Sequence, residues 1–348
     1  MLRRTWFRWL LGSLLAVVLS VGAAVGWVAY QNSYDLREQR VAITGGAQPL
    51  DGVLARPEHG DGPFGLVVFV HGDGPADATR DSAYRPIWES LARAGYASLS
   101  WNKPGVGGAP GNWLDQSMDD RAAEAAAAIA WARSQPGIDP GRIGLWGISQ
   151  AGWVLPKVAD RVPDVRFVIA VSPAVNWLQQ GRYNLLAELA HEHAPQSRID
   201  AELARRERVN EQLRRGATYE QARAAVGADL QDLTPERWRF IGRNFTADAT
   251  ADLAALKVPV LLVLGGKDRN VDAADTEAGY RRILTAPGQL TVVKHEDANH
   301  NLVRPEVEDD EVEGLLTVLA APRSIYVDGY LDELRRYADS FTPTGGRR

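Results

Sequence analysis

A chain of 348 residues with 45% apolar and 24% charged residues suits one large α/β domain with insertions, or two small domains, and can bury a core. The net charge of −5, with no basic block beyond the termini, argues against nucleic acid as a partner. The absence of cysteine excludes disulfides, thiolate nucleophiles, Cys-type zinc sites and lipoprotein attachment.

Residues 1–30 form a unit of their own. Arg3, Arg4 and Arg8 precede an uncharged run from Trp9 to Tyr30, edged by Trp6 and Trp9 on one side and by Trp27 and Tyr30 on the other. As a helix this run spans roughly 33 Å, enough for a bilayer core. The expectation is a single-pass inner-membrane anchor, with the arginines in the cytoplasm and the remainder on the exported side. A cleaved signal ending near Ala24-Val25-Gly26, which would release a secreted form, is the alternative.

Residues 31–40 read as a polar tether. Arg40–Thr44 and Gly52–Ala55 then read as an antiparallel hairpin, and Leu66–Val70 as a strand buried on both faces. That strand ends in His71-Gly72-Asp73-Gly74-Pro75. A helix over Ala83–Ala94 stops at Gly95, and the strand Tyr96–Trp101 runs into Asn102-Lys103-Pro104-Gly105-Val106-Gly107-Gly108. Met118–Ser134, alanine-rich with acids in its first turn, is a helix. Strands follow at Ile143–Trp146, Val165–Val171, Val258–Leu264 and Gln289–Lys294, and a last helix at Val327–Ser340.

Strands alternating with helices imply a mostly parallel sheet with right-handed crossovers. The interval 174–257 lacks a strand pattern but has helical stretches such as Ala201–Arg215 and Thr218–Val226. A structureless loop of that length is implausible, so it reads as a helical cap inserted after the sixth strand. The expected units are therefore 1–30, a core in two parts (31–173 and 258–341), the cap 174–257, and a frayed tail 342–348.

The chemistry collects around Arg142–Trp153. The apolar run Ile143–Trp146 stops at Gly147, Ser149 follows two residues later, and a helical stretch starts near Ala151. This is the strand–turn–helix setting of a nucleophile elbow, which needs small neighbours because strand and helix backbones pass close together. An ordinary turn with a serine N-cap is the competing reading of the tripeptide alone. Asp268 and His300, beyond later strands, supply an acid and a base in the order Ser, Asp, His.

The motifs His71-Gly72-Asp73-Gly74-Pro75, Lys103-Pro104-Gly105-Val106-Gly107 and Gly147-Ile148-Ser149-Gln150-Ala151-Gly152-Trp153, with this order, resemble the α/β-hydrolase superfamily over roughly residues 38–340. More narrowly they resemble bacterial hydrolases of the esterase, dienelactone-hydrolase-like and prolyl-oligopeptidase-like group. Two departures are Asn102-Lys103-Pro104-Gly105, where similar proteins usually carry Asp-Lys-Arg-Gly, and Ala151 in place of a third glycine. The resemblance implies an α/β-hydrolase fold and a serine hydrolase acting on small-molecule esters of small or medium acyl groups, with no cofactor and no metal. It also implies Ser149, Asp268 and His300 as the triad and the backbone amides of Asp73 and Gln150 as the oxyanion hole. The Asp73 side chain beside that hole either points away, toward Arg80, or limits activity on anionic substrates. Asp272 and His295 are the competing acid and base; the family position favours Asp268, and the loop beyond the last strand favours His300. Trp177, Tyr183 and Trp238 are expected to shape the pocket from the cap. His191 and His193, two apart, do not share a helix face and make no metal site. A peptidase of short peptides and a non-catalytic envelope binding module are the rival functions.

Overall fold

The structure, a computed structural model, describes residues 2–342. Helix α1 (Leu2–Gln31) leads directly into the sheet. From Ser13 to Gln31 it has a mean hydropathy of 1.9 and none of it is buried, so by length and composition it can cross a membrane, as anchor or as signal. The expected flanking side chains Arg3, Arg4, Trp6, Arg8 and Trp9, and the tail beyond Thr342, lie outside the described residues.

Strands β1 (Leu36–Ile43) and β2 (Leu50–Pro57) pair antiparallel from Leu36↔Pro57 to Ile43↔Leu50. The expected tether of 31–40 therefore shrinks to Asn32–Asp35. β1 is an edge strand whose side chains mostly face solvent, and such a strand is polar for the same reason a tether is. Strand β3 (Phe64–Val70) is buried at every position, helix α2 (Tyr84–Ala92) follows, and β4 (Tyr96–Trp101) lies parallel to β3. Helix α3 (Met118–Ala132) starts with a capping box in which the Ser117 hydroxyl accepts from the Asp120 amide and the Asp120 carboxylate accepts from the Ser117 amide. Its alanines at 122, 125, 128 and 132 are fully buried, bringing the helix close to the sheet. Then come β5 (Ile138–Ile148), α4 (Leu155–Arg161) and β6 (Val165–Val171).

Between β6 and β7 (Val260–Gly265) lie α5 (Trp177–His191), α6 (Gln196–Arg214), α7 (Tyr219–Val226), α8 (Pro235–Asn244) and α9 (Thr250–Ala255). Helices α6 to α8 share a small core of Val209, Leu213, Ala222, Leu230 and Trp238, whereas Leu253 of α9 belongs to the main core. Helix α10 (Ala273–Ile283) and β8 (Leu290–His295) complete the sheet. Helices α11 (Pro305–Asp309), α12 (Glu311–Ala320) and α13 (Tyr330–Asp339) end the described chain.

The strand order is β1-β2-β4-β3-β5-β6-β7-β8, parallel from β4 to β8. One face is covered by α3, α4, α9 and α10, the other by α2 and α13. All parallel strands point the same way, so the loops after β3, β5, β7 and β8 meet at one edge, where open α/β sheets carry their ligands.

Candidate active site

At the end of β5 the backbone turns sharply. Ser149 has φ of +58°, a conformation that a residue with a side chain adopts only when its surroundings impose it. The turn is held by close packing. A Cβ on Gly147 would lie 2.6 Å from that of Ala151, and one on Gly152 would lie 2.4 Å from the carbonyl oxygen of Ala174. Glycine is thus required at 152, where the turn abuts the chain leaving β6, while Ala151 fits within the helix side of the elbow.

Asp268 and His300 come together beside this turn. His300 Nδ1 is 2.8 Å from Asp268 Oδ2, and both side chains are buried. Asp268 Oδ1 accepts from the amides of Asn270 and Val271 at 2.7 and 2.8 Å, so the carboxylate is held in place from its other side. The glycines before it let the histidine loop approach: a Cβ on Gly265 would lie 2.2 Å from the Asn299 carbonyl oxygen. The competing pair is elsewhere. Asp272 caps α10 by accepting from the amides of Ala274 and Asp275, and the His295 ring meets Tyr330 edge-on.

Ser149, His300, Asp73 and Gln150 all border one cavity of about 530 Å³ between the sheet edge and helices α5, α6 and α8. Two buried cations, Lys103 and Arg121, hold the loop after β3. Lys103 Nζ donates to the carbonyls of Gly72 and Gly74 at 2.6 and 2.8 Å. Arg121 donates to the His71 carbonyl and to Gln150 Oε1. In a trans peptide the C=O and N–H point opposite ways, so pulling the Gly72 oxygen toward Lys103 turns the Asp73 N–H away from it. Gln150 is the second residue of the turn Ser149–Trp153 that opens the helical stretch, where N–H groups have no partner within the helix.

The Asp73 side chain does not reach Arg80, whose guanidinium donates to the Pro75 carbonyl. It pairs in a bidentate manner with Arg237 of α8 at 2.9 and 2.5 Å and accepts from Gln150 Nε2 at 3.1 Å. Burial pushes its carboxyl up, but the Arg237 guanidinium outweighs that and holds it below the ordinary range. Of the three aromatic side chains expected to shape the pocket, Trp177 lines the cavity, stacked on Trp153 with ring centroids 5.0 Å apart. Tyr183 instead donates to the backbone carbonyl of Asp268. Trp238 is turned into the small core of α6 to α8, with Nε1 donating to the Ala217 carbonyl. On a helix packed on both sides, sequence alone does not say which side an aromatic residue faces. Arg121 and Arg237 carried no sequence signal, since their contacts depend on how α3 and α8 are placed; Trp153 belonged to the elbow motif, but its stacking on Trp177 depends on where α5 is placed.

His71 is a structural group. Its Nε2 lies 2.7 Å from the Trp101 carbonyl, so it carries the proton, and Nδ1 accepts from the Tyr84 hydroxyl at 3.1 Å. Burial, with Lys103 nearby, lowers its pKa from 6.5 to about 3. The unfolded chain takes up a proton near 6.5 that the folded chain refuses until about 3. Stability is thus intact above the upper value and is expected to fall by about 1.4 kcal/mol per pH unit between the two. Thermal unfolding followed between about pH 7 and about pH 4 should show stability falling toward acid, to which the half-buried His295 adds in the same direction, and the fall should be shallower in His71→Gln.

Known proteins agree with this architecture. Over residues 46–296 the chain matches the X-Pro dipeptidyl-peptidase (S15) family. An uncharacterized protein of Rickettsia prowazekii is 26% identical over 139 residues, 40% of this chain, and the match spans only 56% of that relative. Among solved structures, an esterase of Pyrococcus furiosus aligns with a TM-score of 0.54 and 17% identity over 82% of this chain and 90% of its own. An esterase of Pyrobaculum calidifontis gives 0.52 and 15% over 92% and 89%. The acylaminoacyl peptidase of Pyrococcus horikoshii gives 0.53 and 13% over 90% of this chain and 42% of its own. At these identities the structural matches speak for the fold. The family match, which takes in the elbow, the cavity helices and Asp268, identifies the chain as a member of the X-Pro dipeptidyl-peptidase (S15) family, within the α/β-hydrolase superfamily.

Proposed function

We propose that this chain is a membrane-anchored serine hydrolase that cleaves carboxylic esters of small or medium acyl groups through an acyl-enzyme. The observation that carries this reading is the strained Ser149 on the wall of a cavity that His300 also lines, with His300 hydrogen-bonded to a fixed Asp268. Ser149 Oγ attacks the ester carbonyl carbon and passes its proton to His300 Nε2. Asp268 keeps the proton on Nδ1 and stabilises the imidazolium. The amides of Asp73 and Gln150 receive the oxyanion. His300 then protonates the departing alkoxide. Water attacks the acyl-enzyme, giving its proton to His300, and the acid leaves as Ser149 recovers its hydrogen.

The test is labelling with a fluorophosphonate, located by peptide mapping, followed by turnover of an ester, thioester and peptide panel. Modification of Ser149 and preference for esters support the reading. The S15 family match favours a second reading, a peptidase of short peptides, and peptide turnover exceeding ester turnover would select it. A folded protein that neither labels nor turns over any substrate would point to a binding module.

Trp177→Ala is expected to change relative kcat/KM across a series of ester chain lengths, because the ring lines the cavity. Trp238→Ala should leave that preference flat while lowering stability by about 3–5 kcal/mol, because its ring is buried away from the cavity. The apolar span of α1 supports anchorage on the exported side of the inner membrane. Full-length protein should remain with the membrane after a carbonate wash, and recovery of a soluble form starting near Trp27 would show cleavage instead.

A further inference from the structure

Helix α12 is built unlike the other helices of the domain. Val312, Leu315, Leu316, Val318 and Leu319 are 67%, 61%, 59%, 46% and 50% exposed, and none of its described residues is buried. Val312, Leu315, Leu316 and Leu319 recur at i, i+3, i+4 and i+7, an apolar stripe on one face of the helix that nothing in the domain covers. The helix is nevertheless firmly placed. The excursion α11–α12 leaves and returns through the bridge Val303↔Tyr326, with the Arg304 guanidinium donating to the Ser324 carbonyl at 2.7 Å. A Cβ on Gly314 would lie 2.5 Å from the Val307 carbonyl oxygen, so the two helices form a tight hairpin.

This hairpin touches the end of α1. Trp27 Nε1 donates to the Ala320 carbonyl at 2.8 Å, and Asn32 Nδ2 to the Leu319 carbonyl at 2.7 Å. Arg323, paired with the buried Glu89, donates to the carbonyls of Gln31 and Ser33 at 2.7 and 2.6 Å. Trp27 is four residues before the end of α1, about 6 Å down the helix. That depth is where an interfacial helix buries its apolar face. We propose that α12 is a second membrane contact, lying in the outer interface beside the anchor with Leu315, Leu316 and Leu319 among the acyl chains. Together with the Arg323 clamp it fixes how the domain stands on the bilayer, at the root of the loop that carries His300. The exposed acids Asp310 and Glu313 make the contact hydrophobic rather than a response to anionic lipid. The inference rests on the reading of α1 as a retained anchor.

The chain has no cysteine, so single cysteines can be placed freely. Full-length Leu316→Cys, Val21→Cys and Glu220→Cys, each carrying bimane, would be reconstituted in phosphatidylcholine vesicles with doxyl groups on the acyl chains. Quenching by lipid at 316 and 21 is expected to exceed that at 220 several-fold, with no gain when phosphatidylglycerol is added. If 21 is quenched and 316 behaves like 220, the anchor stands and the inference falls. If neither 21 nor 316 is quenched, the anchor reading fails and takes the inference with it. If 316 is shielded from both lipid and aqueous iodide, a second copy of the chain covers the helix and the inference is overturned.

Discussion

Ser149→Ala and His300→Ala are each expected to remove several orders of magnitude from kcat, and the double variant to be scarcely worse than either. The reason is mechanical: a serine without its base is a poor nucleophile, and a base without its nucleophile has no proton to take. Asp268→Asn should cost about 10⁴-fold or less, because the imidazole keeps its place while losing its charge partner and its tautomer. The amides of Asn270 and Val271 still hold the substituted side chain, so the protein should remain folded. His295→Ala and Asp272→Asn provide the contrast, each within about tenfold of wild type, or under ~1.4 kcal/mol of barrier. Asp272→Asn acts on the α10 cap, so any effect belongs in melting temperature rather than turnover. Suppose His295→Ala abolishes turnover of an activated ester while His300→Ala retains it, both proteins being folded by circular dichroism. The base would then lie against Tyr330, and the account of the site would fail.

The sheet was legible in the sequence because its central strands are buried on both faces. Runs such as Leu66–Val70 and Val165–Val171 have no other reading at that length. The elbow was legible because its chemistry and its crowding both act within a few residues. Two kinds of feature were not legible. Edge strand β1 hid in a polar segment, since solvent asks the same composition of an edge and of a tether. Contacts made across the fold left no local mark: the sequence offered Asp73 either the nearby Arg80 as a partner or a place beside the oxyanion, and its carboxylate instead meets Arg237, 164 residues away. The same holds for Trp238, whose place in the cap suggested a pocket wall and whose surroundings make it a core residue. Helix α12 differs again: its stripe of Val312, Leu315, Leu316 and Leu319 is one-sided, and nothing local in the sequence says that the fold leaves that face uncovered.

Lys103→Met is expected to lower kcat by about 10²–10³ with KM within a few-fold, the range seen when one oxyanion donor is lost. The methionine keeps most of the stem's volume, but removes both donors to the loop and the ammonium that lies 4.8 Å from the Trp113 ring centroid. The Gly72 peptide is then free to rotate, and the Asp73 amide no longer points where negative charge develops. Stability should respond far less than activity. Two carbonyls lose partners, at about 1–3 kcal/mol each if they stay dry. Against this, the chain no longer buries a cation whose pKa is driven well below the ordinary lysine range, by burial first and then by the neighbouring Arg121. Arg121→Met should weaken the same loop from its other side, through the His71 carbonyl and the Gln150 side chain. Because both cations act on one segment, their losses should not add, and the double variant is expected near the worse single one. The measurement is kcat and KM on one activated ester, with melting temperatures alongside. A Lys103→Met protein that melts like wild type and keeps its kcat would show that the 71–74 loop holds its shape without the lysine, and that the Asp73 amide is not set by it.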